Sequence, residues 1–301
     1  MSTRVLHVSD LHIGARRALH EPEIEDAIGE LVARLDPALV VATGDLAHRG
    51  RRSELEAAAQ FLHALGPPFL VVPGNHDIPF LPPARFVNPW REFDRQWGTT
   101  QPVHSTDDLH VVGLNSVRPW RHQSGALRDG QLDAAADRLG EAKPGALRVV
   151  ALHHQLVGAP WRTRKKPVAR RSHVLARLVD SGAELIVGGH VHQAAVCERH
   201  EFEVVSGGAR GVVVTTAPGF SRPRPHRRGE ARGVLVYSAD ERRISVETSI
   251  WRDGGWELTA LRVFPRGGHS LRLREDSRAA GSEQAAAEAE RERDPARHRQ
   301  A

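Results

Sequence analysis

The 301-residue chain has a single cysteine, Cys197, and only three lysines, Lys143, Lys165 and Lys166. One thiol excludes a disulfide framework and any cluster of metal-bound thiolates. No apolar run approaches the ~20 residues that a membrane-spanning helix needs. The opening "MSTRVLHVSD" runs directly into a strand-like pattern and lacks the basic-then-apolar layout of a secretory leader. A soluble cytoplasmic protein is the expectation. With lysine scarce, arginine supplies most of the basic side of a formal net charge of +5. Two explanations fit that excess: a GC-rich coding sequence, or a surface suited to an anionic partner.

What the chain has is a regular alternation of apolar runs and amphipathic segments. Runs rich in Val, Leu and Ile at 5–8, 38–43, 69–72, 110–114, 148–152 and 184–187 predict strands covered on both faces. Helical periodicity fills 22–35, 53–65, 129–139 and 172–181, and Ser53 with Glu56 has the spacing of a capping box. Strand–helix alternation argues for a layered α/β fold. After residue 200 the pattern becomes strand after strand, at 202–206, 211–216, 233–238, 244–250 and 256–264, which is expected to complete a second sheet against the first. From 267 to 301 the chain is Arg, Glu, Ala, Ser and Gly with almost no large apolar residue, which predicts a disordered tail behind a folded domain at 1–266.

Polar residues gather where the predicted strands end. "VLHVSDLHIG" carries Asp10 and His12, "LVVATGDLAHRG" carries Asp45, His48 and Arg49, and "FLVVPGNHD" carries Asn75, His76 and Asp77. "VVALHHQ" then supplies His153 and His154, and "LIVGGHVH" supplies His190 and His192. In α/β sheets the ligand crevice lies outside the carboxyl ends of the strands, so loops distant in sequence can meet there. Gly44, Gly74 and Gly189 precede the polar residues, where a tight backbone turn would re-aim them. Taken singly, Asp10 is equally a helix cap, Asn75 ordinary turn chemistry, and His190 with His192 one face of a strand edge. Taken together, Asp10, His12, Asp45, Asn75, His153, His190 and His192 form an all-oxygen-and-nitrogen donor set. Such donors suit Mn, Fe, Zn, Co or Ni. Seven are too many for one ion with an open position, whereas two ions about 3.5–4 Å apart, bridged by a carboxylate, use them all. Asp45 is the candidate bridge. Such a pair of ions would form a two-metal hydrolytic centre.

The ordered motifs D-x-H, G-D, G-N-H-D, a histidine after a strand and G-H-x-H resemble those of the calcineurin-like metallophosphoesterases. The resemblance covers about residues 4 to 250 and implies a four-layer αββα sandwich. It also implies one metal on Asp10, His12, Asp45 and His192, and a second on Asp45, Asn75, His153 and His190. His76 resembles the family's catalytic histidine beside the phosphoryl group, and Arg49 stands where a phosphate-binding arginine would. The stretch from Gly44 to Pro79 looks most like the bacterial class III cyclic nucleotide phosphodiesterase branch. Two departures stand out. Gln155 replaces the proline of the usual His-His-Pro, which leaves His154 in competition with His153. His48 occupies the position where related protein phosphatases have an aspartate that orients the catalytic histidine.

Two arginine-rich stretches, 161–171 and 221–233, flank the last motif and are either solvated loops or a basic wall for phosphates. Trp90, Trp97, Trp120 and Trp161 are either packing or platforms for a base. The leading reading is a phosphodiesterase for small phosphate esters or nucleotides, cyclic nucleotides among them. The alternatives are a DNA-end nuclease of the repair exonuclease type, a phosphomonoesterase or protein phosphatase, and a non-catalytic scaffold. The nuclease is disfavoured by the short C-terminal segment, the scaffold by the intact donor set.

Overall fold

The computed structural model describes residues 3–15, 22–121, 123–161, 163–200 and 211–266. The predicted strand at 202–206 and the predicted disordered tail lie outside these. In chain order the elements are β1 (Thr3–Val8), α1 (Pro22–Leu35), β2 (Leu39–Ala42), α2 (Arg52–Ala64), β3 (Phe69–Val71), α3 (Ala84–Val87), α4 (Arg91–Trp97), β4 (Val103–Ser105), β5 (Leu109–Leu114), α5 (Asp129–Gly140), β6 (Leu147–Leu152), α6 (Arg171–Asp180), β7 (Leu185–Gly188), β8 (Ala195–His200), β9 (Gly211–Thr216), β10 (Gly233–Ala239), β11 (Arg243–Arg252) and β12 (Gly255–Pro265). Among the described residues, no helix is long and apolar enough to cross a membrane.

Two six-stranded sheets form, ordered β12-β11-β10-β1-β2-β3 and β4-β5-β6-β7-β9-β8. The alternation of side chains along each strand divides the core into three apolar layers. Val5, Val41, Leu70, Val111, Val149, Val187 and Leu235 pack between the sheets. Leu6, Val8, Val40 and Val236 face Ile24, Ile28 and Leu62 of α1 and α2. Val112, Val150, Ile186 and Val214 face Leu132, Leu139, Val174 and Leu178 of α5 and α6. The result is the predicted αββα sandwich.

The allocation of the late strands differs from the expectation. Only β9 helps to complete the second sheet as expected, parallel to β7, whereas β10, β11 and β12 extend the first sheet on the far side of β1, with β10 antiparallel to it. Trp256 at the start of β12 donates from Nε1 to the Ala27 carbonyl at 3.0 Å, which ties this hairpin to α1. The start of α2 also differs. Its first turn begins at Arg52, and Glu54, not Glu56, reaches back to accept the Arg49 and Arg51 backbone N–H groups at 2.8 and 3.2 Å.

One polar chain crosses the apolar layer between the sheets. His7 lies two residues after Val5 and on the same face of β1. Its Nδ1 takes the Tyr237 hydroxyl proton at 2.7 Å and its Nε2–H donates to Thr43 Oγ1 at 2.8 Å. Tyr237 in turn meets Thr215 Oγ1 of the other sheet at 2.6 Å. Thr43 donates to Ser9 Oγ at 2.9 Å, and Ser9 donates to Asp10 Oδ2 at 2.7 Å. Burial holds His7 neutral, its pKa lowered to about 3 although Asp10 works in the opposite direction. A buried polar group left unpaired costs roughly 1–3 kcal/mol. Tyr237→Phe strands His7 Nδ1 and should lower the unfolding free energy by about that much, read from urea melts, with the far-UV spectrum unchanged.

Candidate metal centre and phosphate cleft

β1, β2 and β3 run parallel in one sheet and β5, β6 and β7 in the other, so their carboxyl ends present loops at one edge of the sandwich. All seven donor residues predicted from the sequence come together there. His12 Nε2 and His192 Nε2 are 3.2 Å apart, and Asp10 Oδ1 lies 3.0 Å from His192 Nε2. His153 Nε2 sits 3.1 Å from His190 Nδ1, 3.3 Å from Asn75 Oδ1 and 3.4 Å from Asp45 Oδ1. Asp45 Oδ2 is 3.9 Å from His12 Nε2. Asp45 therefore stands between two nests, one oxygen toward each.

The backbone is bent to achieve this. Asp10, His12, Asp45, His190 and His192 all have left-handed φ values, of 58°, 49°, 51°, 74° and 58°. For residues other than glycine such conformations cost of order 1–3 kcal/mol each and cluster at functional sites. The glycines assist differently from the expectation. Gly44 alone of the three is left-handed, with φ +81°. Gly189 is needed for close approach, since a Cβ there would overlap Ser9 Oγ and lie 2.7 Å from Asp10 Oδ2. Asp77 pins the Asn75–His76 loop, accepting Ala47 N–H at 2.8 Å and Gly74 N–H at 2.7 Å.

Donor orientation fits a metal. The His153 Nδ1–H donates to the Thr43 carbonyl at 2.7 Å, and the His190 Nε2–H donates to the Gln123 carbonyl at 3.1 Å. Each bond fixes a tautomer and turns the other nitrogen inward. Asp10 Oδ1 and Asp45 Oδ2 are buried and receive no hydrogen bond. Burial pushes both carboxyls up, but the surrounding imidazoles, His192 for Asp10 and His153 for Asp45, hold them well below the ordinary carboxylate range. Burial keeps His12 and His190 neutral, the form that binds metal. Two sets that could each hold an ion are Asp10 with His12 and His192, and Asp10 with Asp45 and His153.

The structure shows the surroundings of both departures in the motifs. His153 is the one that meets Asp45 and Asn75, while the neighbouring His154 turns Nδ1 to Ser116 Oγ at 2.8 Å. His154 Nε2 remains buried without a partner, close enough to His153 and His190 for the three to share an ion. The missing aspartate buttress is replaced by backbone: the His76 Nδ1–H donates to the His48 carbonyl at 2.7 Å. That leaves His76 Nε2 for a cleft of about 620 Å³ lined also by His12, Arg49, Lys165, His192 and Arg224. Arg49 is exposed at its mouth, 5.9 Å over the Phe80 ring.

The arginine-rich loops meet at this cleft. Trp161 stacks under the Arg228 guanidinium at 4.1 Å, and Arg224 forms an ion pair with Glu230. Among the described residues, no tryptophan lines the cleft. Trp97 packs on Phe93 at 4.7 Å, as the packing reading expects.

Residues 3–194 match the family described as Calcineurin-like phosphoesterase. The chain belongs to that family. Among curated relatives it is 28% identical over 209 residues to a probable cyclic nucleotide phosphodiesterase of a Synechococcus species, covering 65% of this chain and 76% of that one. It is 36% identical over 216 residues to the glycerophosphodiester phosphodiesterase GpdQ of Enterobacter lignolyticus, covering 66% and 74%. A dimetal phosphatase from Danio rerio shares the fold, with a TM-score of 0.60 at 14% identity over 87% of this chain and 98% of that one. The protein is thus a metal-dependent phosphoesterase by family, and its expected class is borne out.

His153 makes metal uptake proton-linked. Burial lowers its pKa, but Asp45 and Asp10 outweigh burial and raise it to about 9. In the metal-free protein the imidazolium is therefore present at pH 7, and a metal must displace its Nε2 proton. The apparent affinity for Mn²⁺ or Zn²⁺ should rise with pH up to about 9. Calorimetry at pH 7 in buffers of different ionisation enthalpy should show at least one proton released per chain. His153→Ala should abolish that release.

Proposed function

We propose that this protein hydrolyses small phosphodiesters, cyclic nucleotides among them, at a centre of two transition metals, Mn, Fe or Zn. The observation that carries the reading is Asp45, whose two oxygens face His153 and His12 on opposite sides. Asp10, His12, Asp45 and His192 would hold one ion, and Asp45, Asn75, His153 and His190 the other. When bound, two such cations supply a water nucleophile active near neutral pH and offset charge on the phosphoryl oxygens. The names of the relatives, a cyclic nucleotide phosphodiesterase and a glycerophosphodiester phosphodiesterase, support a diester substrate. A cleft of about 620 Å³ is of the size that encloses a small molecule.

The remaining chemistry falls to the chain. In-line displacement expels an alkoxide, which needs a proton. His76 in its imidazolium form would give it from Nε2, the nitrogen left facing the cleft while Nδ1–H is held on the His48 carbonyl, and would end as the neutral imidazole. Its backbone N–H also donates to Asp45 Oδ1 at 2.8 Å, so acid and bridge are held in register. Arg49 at the mouth draws the anion in and steadies it.

Metal analysis of purified protein should give about two ions per chain, and Asp45→Asn should lose most activity together with metal; full turnover with one ion would sink the dinuclear reading. The role of His76 is separable from metal binding. A general acid contributes about 10²–10⁴-fold only where the leaving group needs a proton. His76→Ala should keep its metals and lose roughly that factor on a nucleoside phosphodiester, but far less on bis-p-nitrophenyl phosphate, because nitrophenolate leaves unaided. Equal losses on both substrates would assign His76 to phosphoryl positioning instead.

A further inference from the structure

Within the stretch "WRTRKKPVARR" three cations stand in a row, and the fold treats them unequally. Arg164 and Lys166 are exposed, while Lys165 is half-buried and lines the same cleft as His12, His76 and His192. The loop is pinned beyond it by Val168 N–H to the Gln155 carbonyl at 3.0 Å and Ala169 N–H to the Gly125 carbonyl at 2.9 Å. The Lys165 backbone N–H is taken by Thr163 Oγ1 at 3.2 Å. Its ammonium donates to the backbone carbonyl of His190.

An ammonium carries three N–H donors, and the His190 carbonyl takes one. Among the described residues, no carboxylate forms an ion pair with it. Asp10 and Asp45 act on it only through space, against the burial that destabilises its charge. A desolvated cation without a paired anion is costly, and sites of this kind are completed by an anionic ligand. The contrast with Arg224 is direct, since Glu230 already neutralises that guanidinium at the same cleft.

We propose that Lys165 is a substrate-binding catalytic residue whose ammonium, fixed on the His190 carbonyl, binds a non-bridging phosphoryl oxygen of the ester and of the phosphate product. This rests on the phosphoesterase reading of the same cleft and adds to it a protein cation beside the reacting group. An oriented donor of this kind is worth most where charge grows in the transition state.

The decisive variant is Lys165→Gln, which keeps an N–H for the His190 carbonyl and removes the charge. With metal-loaded protein and bis-p-nitrophenyl phosphate, its kcat/KM should fall about 10²-fold, as for loss of one such donor. The inhibition constant of inorganic phosphate should rise at least ~10-fold, with metal content per chain unchanged. Lys165→Arg, which keeps the charge, should recover much of the phosphate binding, and Lys166→Gln should match wild type in both readouts. Two outcomes would overturn the proposal. One is wild-type kcat/KM and phosphate inhibition in Lys165→Gln. The other is loss of metal from that variant together with an unchanged phosphate constant, which would make Lys165 a prop for the His190 loop. Wild-type protein that binds two metals yet cleaves no phosphate ester would instead defeat the functional reading on which the proposal stands.

Discussion

The carboxylates of Asp10 and Asp45 lie at the seam of the two sheets with no solvent exposure, and each keeps one oxygen that no donor reaches. Buried charge of this kind is tolerated only when something of opposite sign is held close. Among the described residues, no arginine or lysine forms an ion pair with either. The chain supplies imidazoles, of which burial keeps His12 and His190 neutral, with lone pairs turned to the same space as the carboxylates. In the metal-free protein a proton on His153 offsets part of that charge. Metal cations held by these lone pairs would displace that proton and offset the charge in its place, so the ionic balance of the site and its proposed chemistry would have one origin.

Much of the surrounding structure serves to keep those oxygens in place. The hydrogen-bond chain from Thr215 through Tyr237, His7, Thr43 and Ser9 gives Asp10 Oδ2 a fixed donor, and the His190 backbone N–H gives it a second at 2.9 Å. Because Thr215 belongs to one sheet and Tyr237 to the other, the relative position of the sheets is coupled to the aim of a carboxylate. The left-handed residues at the strand ends belong to the same logic. Their conformational cost is borne by short, densely bonded loops, and the close approach of Gly189 to Ser9 is part of that bonding.

The clustering of the seven candidate donors was legible because chemistry and position coincide: each follows an apolar run, and strands covered on both faces end at one edge. The αββα layering was legible for the same reason. What escaped was whatever depends on register between distant segments. The pairing of β10 with β1 places three late strands in the first sheet, and nothing local in 233–264 distinguishes that from a separate sheet. The start of α2 escaped because Glu54 competes with Glu56 for the capping role, and the loop carrying Arg49 decides between them. His7 left a usable trace, a polar residue two places after Val5 on a face that is otherwise apolar. Gly74 and Gly189 were read as turn formers, yet neither has a positive φ, because crowding by a facing segment is invisible in a single chain of letters.

Charge in this protein is graded by depth, and the net value of +5 conveys little of it. Arg49 and Arg51 are exposed at the mouth of the cleft, where salt screens their pull within about 8–10 Å. Arg224 is nearer but spends its guanidinium on Glu230, and that pair shapes the loop that Trp161 and Arg228 clasp against the first. Trp161 N–H is bonded to Gln193 Oε1 at 2.9 Å, so the clasp is anchored one residue beyond His192. Lys165 lies innermost. An anion entering from solvent would therefore meet screened arginines, then a neutralised pair, then Lys165 and His76 beside the Asp and His cluster. Under the proposed function, attraction would be weak at the rim and strong beside the reacting group, an arrangement suited to a compact phosphate ester that passes wholly inside rather than to a polymer held along the surface.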